Sequence, residues 1–177
     1  GYQGRKLQKD DVIAFRAPKT DLKNLGVRHI SPEFVPRAEY KLRVVLGPQD
    51  DAFTEKGLFD FKSALYTVTQ DSNRMAAKLS GAPIEAKAGV DILSDGIVEG
   101  SVQVSANGQP IVMLADHQST GGYAKIATVI PCDIPALAQV RPGQLVGFRV
   151  VSVEEGAEAC RKEKEKWTYL KEAIDHD

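Results

Sequence analysis

The richest concentration of reactive side-chain types is the run Asp116-His117-Gln118-Ser119-Thr120-Gly121-Gly122-Tyr123, which directly follows the apolar stretch Ile111-Val112-Met113-Leu114-Ala115. A carboxylate, an imidazole, an amide, two hydroxyls and a phenol together offer both donors and acceptors to a polar ligand, and the paired glycines let such a ligand approach the backbone closely. The competing reading of the same run is a polar loop that only turns the chain. Two smaller groups accompany it. Asp71, Asn73 and Arg74 form one, in which Arg74 has the fork geometry for a carboxylate or phosphate, although a structural ion pair is its commoner use. Asp95, Gly96, Gly100 and Gln103 form the other, where Asp95 before Gly96 also suits a simple turn.

Other chemistries lack their signatures. The chain has no GxSxG elbow, no Walker loop, no GxGxxG and no HExxH. His29, His117 and His176 are scattered, and His29 and His176 read as surface residues. Cys132 and Cys160 have neither CxxC nor CxxH spacing, so no metal site is expected. With no disulfide framework and no secretory leader, the expected compartment is the reducing cytoplasm. The 23 Lys+Arg against 24 Asp+Glu leave a net charge of −1, which gives no global field to draw in nucleic acid or an anionic membrane. The longest apolar stretches, such as residues 110–115, fall far short of the ~20 residues needed for a membrane span.

These residues must be positioned by mostly short, strand-like elements. The 177 residues fit one compact domain or two small ones. Residues 12–15 follow the polar turn Lys9-Asp10-Asp11 and read as a short edge strand. Residues 17–39 carry Pro18, Pro32 and Pro36 and read as a connecting loop between the end of a preceding subdomain (residues 1–16) and the main domain (residues 40–177). Strands are expected at 40–46, 64–69, 78–81, 90–94, 101–105, 109–114, 124–131 and 145–151. Asn107-Gly108 predicts a β-hairpin with a type I′ turn. Thr54 caps a short helix to about Ser63, with Phe53, Leu58 and Phe61 on one face, and residues 134–138 suggest another. Ser152 and Glu155 form a capping box that opens a long C-terminal helix, whose apolar stripe is Val153, Ala157, Cys160, Trp167, Leu170 and Ile174. Cys160 reads as a small packing residue on that stripe rather than a nucleophile. Strands this short and this regularly spaced point to an antiparallel barrel or sandwich.

Four stretches taken together resemble a known family: Val45-Leu46-Gly47-Pro48-Gln49, Asp71-Ser72-Asn73-Arg74-Met75, the segment from Leu93 through Val104, and the segment from Asn107 through Tyr123. They resemble the biotin-dependent carboxyltransferase family, also called allophanate hydrolase subunit 2, with KipA-like proteins and the C subunit of bacterial 5-oxoprolinase among its members. The resemblance covers essentially the whole chain, and Gly1-Tyr2-Gln3-Gly4-Arg5-Lys6-Leu7 looks like the middle of a longer protein. The chain is therefore expected to be a C-terminal portion, inactive in isolation.

What the resemblance implies is a mainly β, cyclophilin-like antiparallel β-barrel with short helices and a C-terminal α-helix. It implies a component of an ATP-dependent complex that opens the 5-oxoproline ring, a small polar lactam, working with KipI-like and LamB/YcsF-like partners. The alternatives are a carboxyltransferase using carboxybiotin in a urea carboxylase system, and a non-catalytic regulator that binds a KipI-like kinase inhibitor. Asp116, Gln118 and Tyr123 are the implied catalytic residues. Arg74, Asp95, Gln103, Gln109, His117, Ser119, Thr120, Gly121 and Gly122 are the implied substrate-binding residues. The chain departs from the family pattern at His117 (Arg is frequent there), Ser119 (Thr), Asn73 (Asp) and Ala124 (Pro). Exchanging a fixed guanidinium for His117 weakens carboxylate binding at this loop, although a protonated imidazole would replace part of the charge.

Overall fold

Alternating apolar residues after Glu39 build the first strand, β1 (Glu39–Leu46), with Leu42 and Val44 buried and Lys41 exposed. The computed structural model describes residues 2–14 and 39–175, and the chain divides into two units, Gly1–Val35 and Pro36–Asp177. The expected loop at 17–39 lies outside the described residues except for Glu39, and so do His29 and His176.

In the second unit β1 is followed by α1 (Glu55–Ser63), β2 (Leu65–Val68), β3 (Ala76–Ser80), β4 (Asp91–Gly96), β5 (Ser101–Val104), β6 (Pro110–Met113), β7 (Thr120–Tyr123), β8 (Lys125–Val129), α2 (Ile134–Leu137), β9 (Leu145–Val150) and α3 (Val153–Asp175). Seven strands close a barrel in the order β1-β8-β5-β6-β3-β2-β9, and β9 returns to β1. That closing pair is parallel, from Glu39↔Leu145 to Val44↔Val150, while the other pairings of the barrel are antiparallel as expected. The other two strands, β4 and β7, pair only with each other and form a separate ribbon.

The barrel is filled from the inner faces of its strands. Val102 and Val104 of β5, Val112 of β6 and Val146 of β9 are fully buried. Phe61 of α1 stacks on Phe148 of β9 at 4.5 Å between ring centroids, which ties the helix to the barrel. Burying each such side chain contributes roughly 1.5–3 kcal/mol. Thr54 caps α1 as expected, its Oγ1 accepting the Gly57 N–H at 3.0 Å, and Phe53 and Phe61 are buried. The capping box before α3 also forms: Ser152 N–H donates to Glu155 Oε2 (2.8 Å), and Glu155 N–H donates to Ser152 Oγ (3.1 Å).

Three local expectations are corrected. The Asn107-Gly108 hairpin exists between β5 and β6, but it is not a type I′ turn. Ser105 N–H donates to Gln109 O, Gly108 N–H donates to Ser105 O, and Gly108 takes positive φ (+77°) while Asn107 does not. This is a three-residue loop ending in a glycine bulge, and it gives the same strand reversal with one left-handed residue instead of two. No strand forms over residues 12–14, where Val12 and Ile13 are exposed. The described part of that unit is held by the Arg5–Asp11 ion pair at 2.6 Å, and strand propensity without a pairing partner does not make a strand. The predicted apolar stripe of α3 is not its buried face: Val153 and Trp167 are 64% and 50% exposed. The helix instead presses Gly156 against Ile130, where a Cβ would come within 3.0 Å, and Cys160 is half-buried.

Candidate functional site

The polar run after β6 meets the Asp71–Arg74 group because their backbones pair. Leu114 N–H donates to Met75 O at 2.9 Å, and Asp116 N–H donates to Arg74 O at 3.0 Å. Arg74 then pairs with Asp116: Nη2 donates to Oδ1 at 3.0 Å, and Nε lies 2.8 Å from Oδ2 in the ion pair. Both side chains face solvent, at 82% and 48% exposure, so the pair is shielded little and holds little energy. Asn73 Oδ1 accepts the Met75 N–H at 2.8 Å and shapes this turn. Beside it an open groove of about 470 Å³ is lined by Arg74, Leu114, Ile134, Leu137 and Val140, among others. His117 Nδ1 lies 2.7 Å from Gln118 O, and because a carbonyl oxygen only accepts, the imidazole donates from Nδ1 in this contact. Gln118 and Ser119 are exposed, and Ser119 O accepts the Ile97 N–H at 2.9 Å.

From Thr120 onward the run is not a loop but strand β7, which pairs with β4 at Gly96↔Thr120, Asp95↔Gly121 and Asp91↔Tyr123. This ribbon lies over a β-bulge. Across β5 and β8, Val102 faces Ala127 and Gln103 faces Lys125, so Ile126 is the extra residue. Val102 and Val104 point into the barrel core, which leaves Gln103 on the outer face, and the bulge places Lys125 on that face beside it. The Gly47-Pro48-Gln49 loop after β1 satisfies the disturbed backbone. Gly47 N–H donates to Ile126 O (3.0 Å), Gln49 N–H donates to Lys125 O (3.1 Å), and Lys125 N–H donates to Gln49 Oε1 (3.1 Å).

The consequence is a buried ammonium under the ribbon. The Lys125 side chain is 4% exposed, and its Nζ donates to Asp95 Oδ2 at 2.6 Å and to Gly96 O at 2.9 Å. Gln49 Nε2 also donates to Asp95 Oδ2, at 3.3 Å, while Gly96 N–H donates to Oδ1 at 2.7 Å. The Lys125 ammonium, then the Gly96 N–H and Gln49, hold the Asp95 carboxyl below the usual carboxylate range. Gln103, also buried, donates through Nε2 to Tyr123 O at 3.1 Å. Gly121 fits over it because a Cβ there would come 2.9 Å from Gln103 Nε2 and 2.6 Å from Ile97 Cδ1.

The predicted residues therefore fall into three places. Arg74 and Asp116 share the exposed rim, continued along the chain by His117, Gln118 and Ser119. Asp95, Gln103, Gly121 and Tyr123 come together at the ribbon and the face beneath it, with Thr120 and Gly122 also on β7. Gln109 belongs to neither: its Oε1 accepts the Gly81 N–H at 2.7 Å and its Nε2 donates to Gly81 O at 3.2 Å, tying the hairpin loop to the end of β3. Among the described residues, no hydrogen bond joins the Arg74–Asp116 pair to the Lys125 group. Sequence reasoning missed Lys125 and Gln49. The available signal was a lysine set inside the otherwise apolar stretch Ala124-Lys125-Ile126-Ala127. Among the described residues no group of three or more His, Cys, Asp or Glu is placed to hold a metal ion, and no helix is long and apolar enough to cross a membrane.

The family described as carboxyltransferase domain, subdomain A and B, matches residues 1–150. The chain is 34% identical over 175 residues to the C subunit of 5-oxoprolinase from Haemophilus influenzae, covering 99% of this chain and 55% of that protein. It is 32% identical over 168 residues to the C subunit of 5-oxoprolinase from Escherichia coli, covering 94% and 52%. The chain thus spans about half the length of the curated relatives it matches. The crystal structure of the K. lactis urea amidolyase superimposes with a TM-score of 0.68 at 20% identity, over 74% of this chain and 8% of that one, which shows a shared fold.

Proposed function

The chain belongs to the carboxyltransferase domain family, subdomain A and B, and from this premise we propose that it is the barrel portion of the C subunit of a 5-oxoprolinase, acting in a cytoplasmic complex with KipI-like and LamB/YcsF-like partners. Two relatives at 34% and 32% identity that bear this name support the reading. The observation in the molecule itself that carries it is Lys125, a buried ammonium held one carboxylate below the surface beside a glycine-bearing ribbon. A lactam is a small polar ring whose carbonyl oxygen gathers negative charge as water adds to the carbonyl and the ring C–N bond breaks. A fixed positive charge in a site partly shielded from water stabilises that change more than the same charge in bulk water would. Gln49 holds Lys125 in place through its backbone, and Gln103 fixes the end of β7 through Tyr123 O.

In this reading ATP is used elsewhere in the complex, and this chain binds and orients the lactam. The test is to assemble the complete protein with its partners and follow ATP-dependent formation of glutamate from 5-oxoproline. Glutamate formation that disappears when this protein is omitted, or when this chain is assayed alone, is expected. Carboxylation of urea by the same assembly, without glutamate formation, would overturn the proposal.

A further inference from the structure

The Asp95 carboxylate rests in a set of donors that would receive any carboxylate of similar size. Oδ2 takes the Lys125 ammonium at 2.6 Å and Gln49 Nε2 at 3.3 Å, and Oδ1 takes the Gly96 N–H at 2.7 Å. Two of the donors are fixed by the barrel: Lys125 by the bulge in β8, and Gln49 by its bonds to both backbone groups of Lys125. The acceptor is fixed far less. Asp95 sits on the ribbon, outside the barrel sheet, next to a register irregularity, and its side chain is 54% exposed. The strand that carries it is exposed along most of its length.

We propose that Lys125, Gln49 and the Gly96 N–H form a binding site for the carboxylate of a small ligand, and that Asp95 is its displaceable internal occupant. Rotation of the Asp95 side chain toward solvent leaves an ammonium, an amide N–H and a backbone N–H converging on one point. Refilling that point with a ligand carboxylate restores the charge balance that a bare buried ammonium would lack. The inference rests on the reading above in one respect, that the ligand is a small lactam acid, and it assigns the Lys125 ammonium to the carboxylate of that ligand in place of its ring carbonyl. The site discriminates by charge, because a neutral amide of the same size brings no counter-ion for Lys125 and cannot replace Asp95.

The experiment is NMR titration of the chain with L-5-oxoproline, with acetate, and with 2-pyrrolidinone, which is the same lactam ring without the carboxylate. Both carboxylates are expected to shift the amide signals of Gln49, Gly96 and Lys125, and 2-pyrrolidinone is not. Asp95→Asn removes the competing carboxylate and should tighten binding about tenfold, the gain expected if Asp95 is displaced in about one molecule in ten beforehand. Lys125→Met should abolish binding, and Lys125→Arg, which retains a cation, should restore part of it. Unchanged or weaker binding in Asp95→Asn, or wild-type binding in a folded Lys125→Met, overturns the proposal. If acetate binds at these residues and 5-oxoproline does not, the carboxylate site stands and the lactam reading falls.

Discussion

The outer wall of the barrel carries two ion pairs that invert each other. In Arg43–Asp133 the acid is the buried member, with side-chain exposures of 33% for the arginine and 12% for the aspartate. In Lys125–Asp95 the base is buried, at 4%, and the acid is 54% exposed. Asp133 takes three bonds from one residue: the Arg43 backbone N–H at 2.7 Å, Nε at 3.1 Å and Nη2 at 2.5 Å. That clamp ties β1 to the turn before α2. Lys125 depends instead on Asp95 and Gly96 of the ribbon, which the barrel sheet does not hold. The difference is one of roles. A pair whose bonds close within the barrel wall serves stability, whereas a buried charge whose partner stands at the surface is poised for exchange.

Stability measurements test this contrast, and the largest effect is expected at the closed clamp. Asp133→Ala leaves the Arg43 guanidinium and backbone N–H without their acceptor, and should lower the unfolding free energy by about 2–3 kcal/mol in urea denaturation. A loss under half that size would mean that the clamp is no more structural than the open pair. A smaller effect belongs to Asp95, and it depends on pH. Because the folded-state carboxyl titrates below its ordinary value, its contribution is present above pH ~4 and is lost as pH falls through the depressed value. Wild type should therefore melt above Asp95→Asn near neutrality, and the two melting curves should converge in acid. A gap that does not change with pH would show that the Lys125 charge is not what Asp95 answers. The smallest effect is expected at the exposed rim, where Arg74→Ala should change stability by less than about 1 kcal/mol in the same denaturation assay. A larger loss would show that the Arg74–Asp116 pair organises its loops as firmly as the clamp organises β1.

How far the site was legible in the sequence follows the same division. The rim was visible because its polar groups are consecutive in the chain and loop-borne, and Arg74 meets Asp116 in the ion pair that is the commoner use of such an arginine. Asp95 and Gln103 were visible as one of the small polar groups of the chain, but not what they pair with, and Lys125 was not visible at all. A strand read with period two groups Lys125 with Ala127 and Val129 on the wall of the barrel. The residue lies elsewhere because Ile126 is extra, and an extra residue is defined only by the partner strand. The β7 strand was missed for a related reason: Thr120-Gly121-Gly122-Tyr123 has little intrinsic strand preference and becomes extended by pairing with β4.

By itself the sequence determined what neighbouring residues can satisfy among themselves: the Thr54 cap, the Ser152–Glu155 capping box, the hairpin at Asn107-Gly108 and the positions of most barrel strands. These depend on hydrogen bonds and dihedral preferences spanning a few residues, so they are written locally. Tertiary structure alone decided the parallel seam between β1 and β9, the face that α3 buries at Gly156, and the burial of an ammonium under a ribbon. Each of these requires groups far apart in sequence to meet. The energy of a charge in particular is set by what surrounds it in space, here a carboxylate from β4 and an amide from the loop after β1, and not by the residues beside it in the chain.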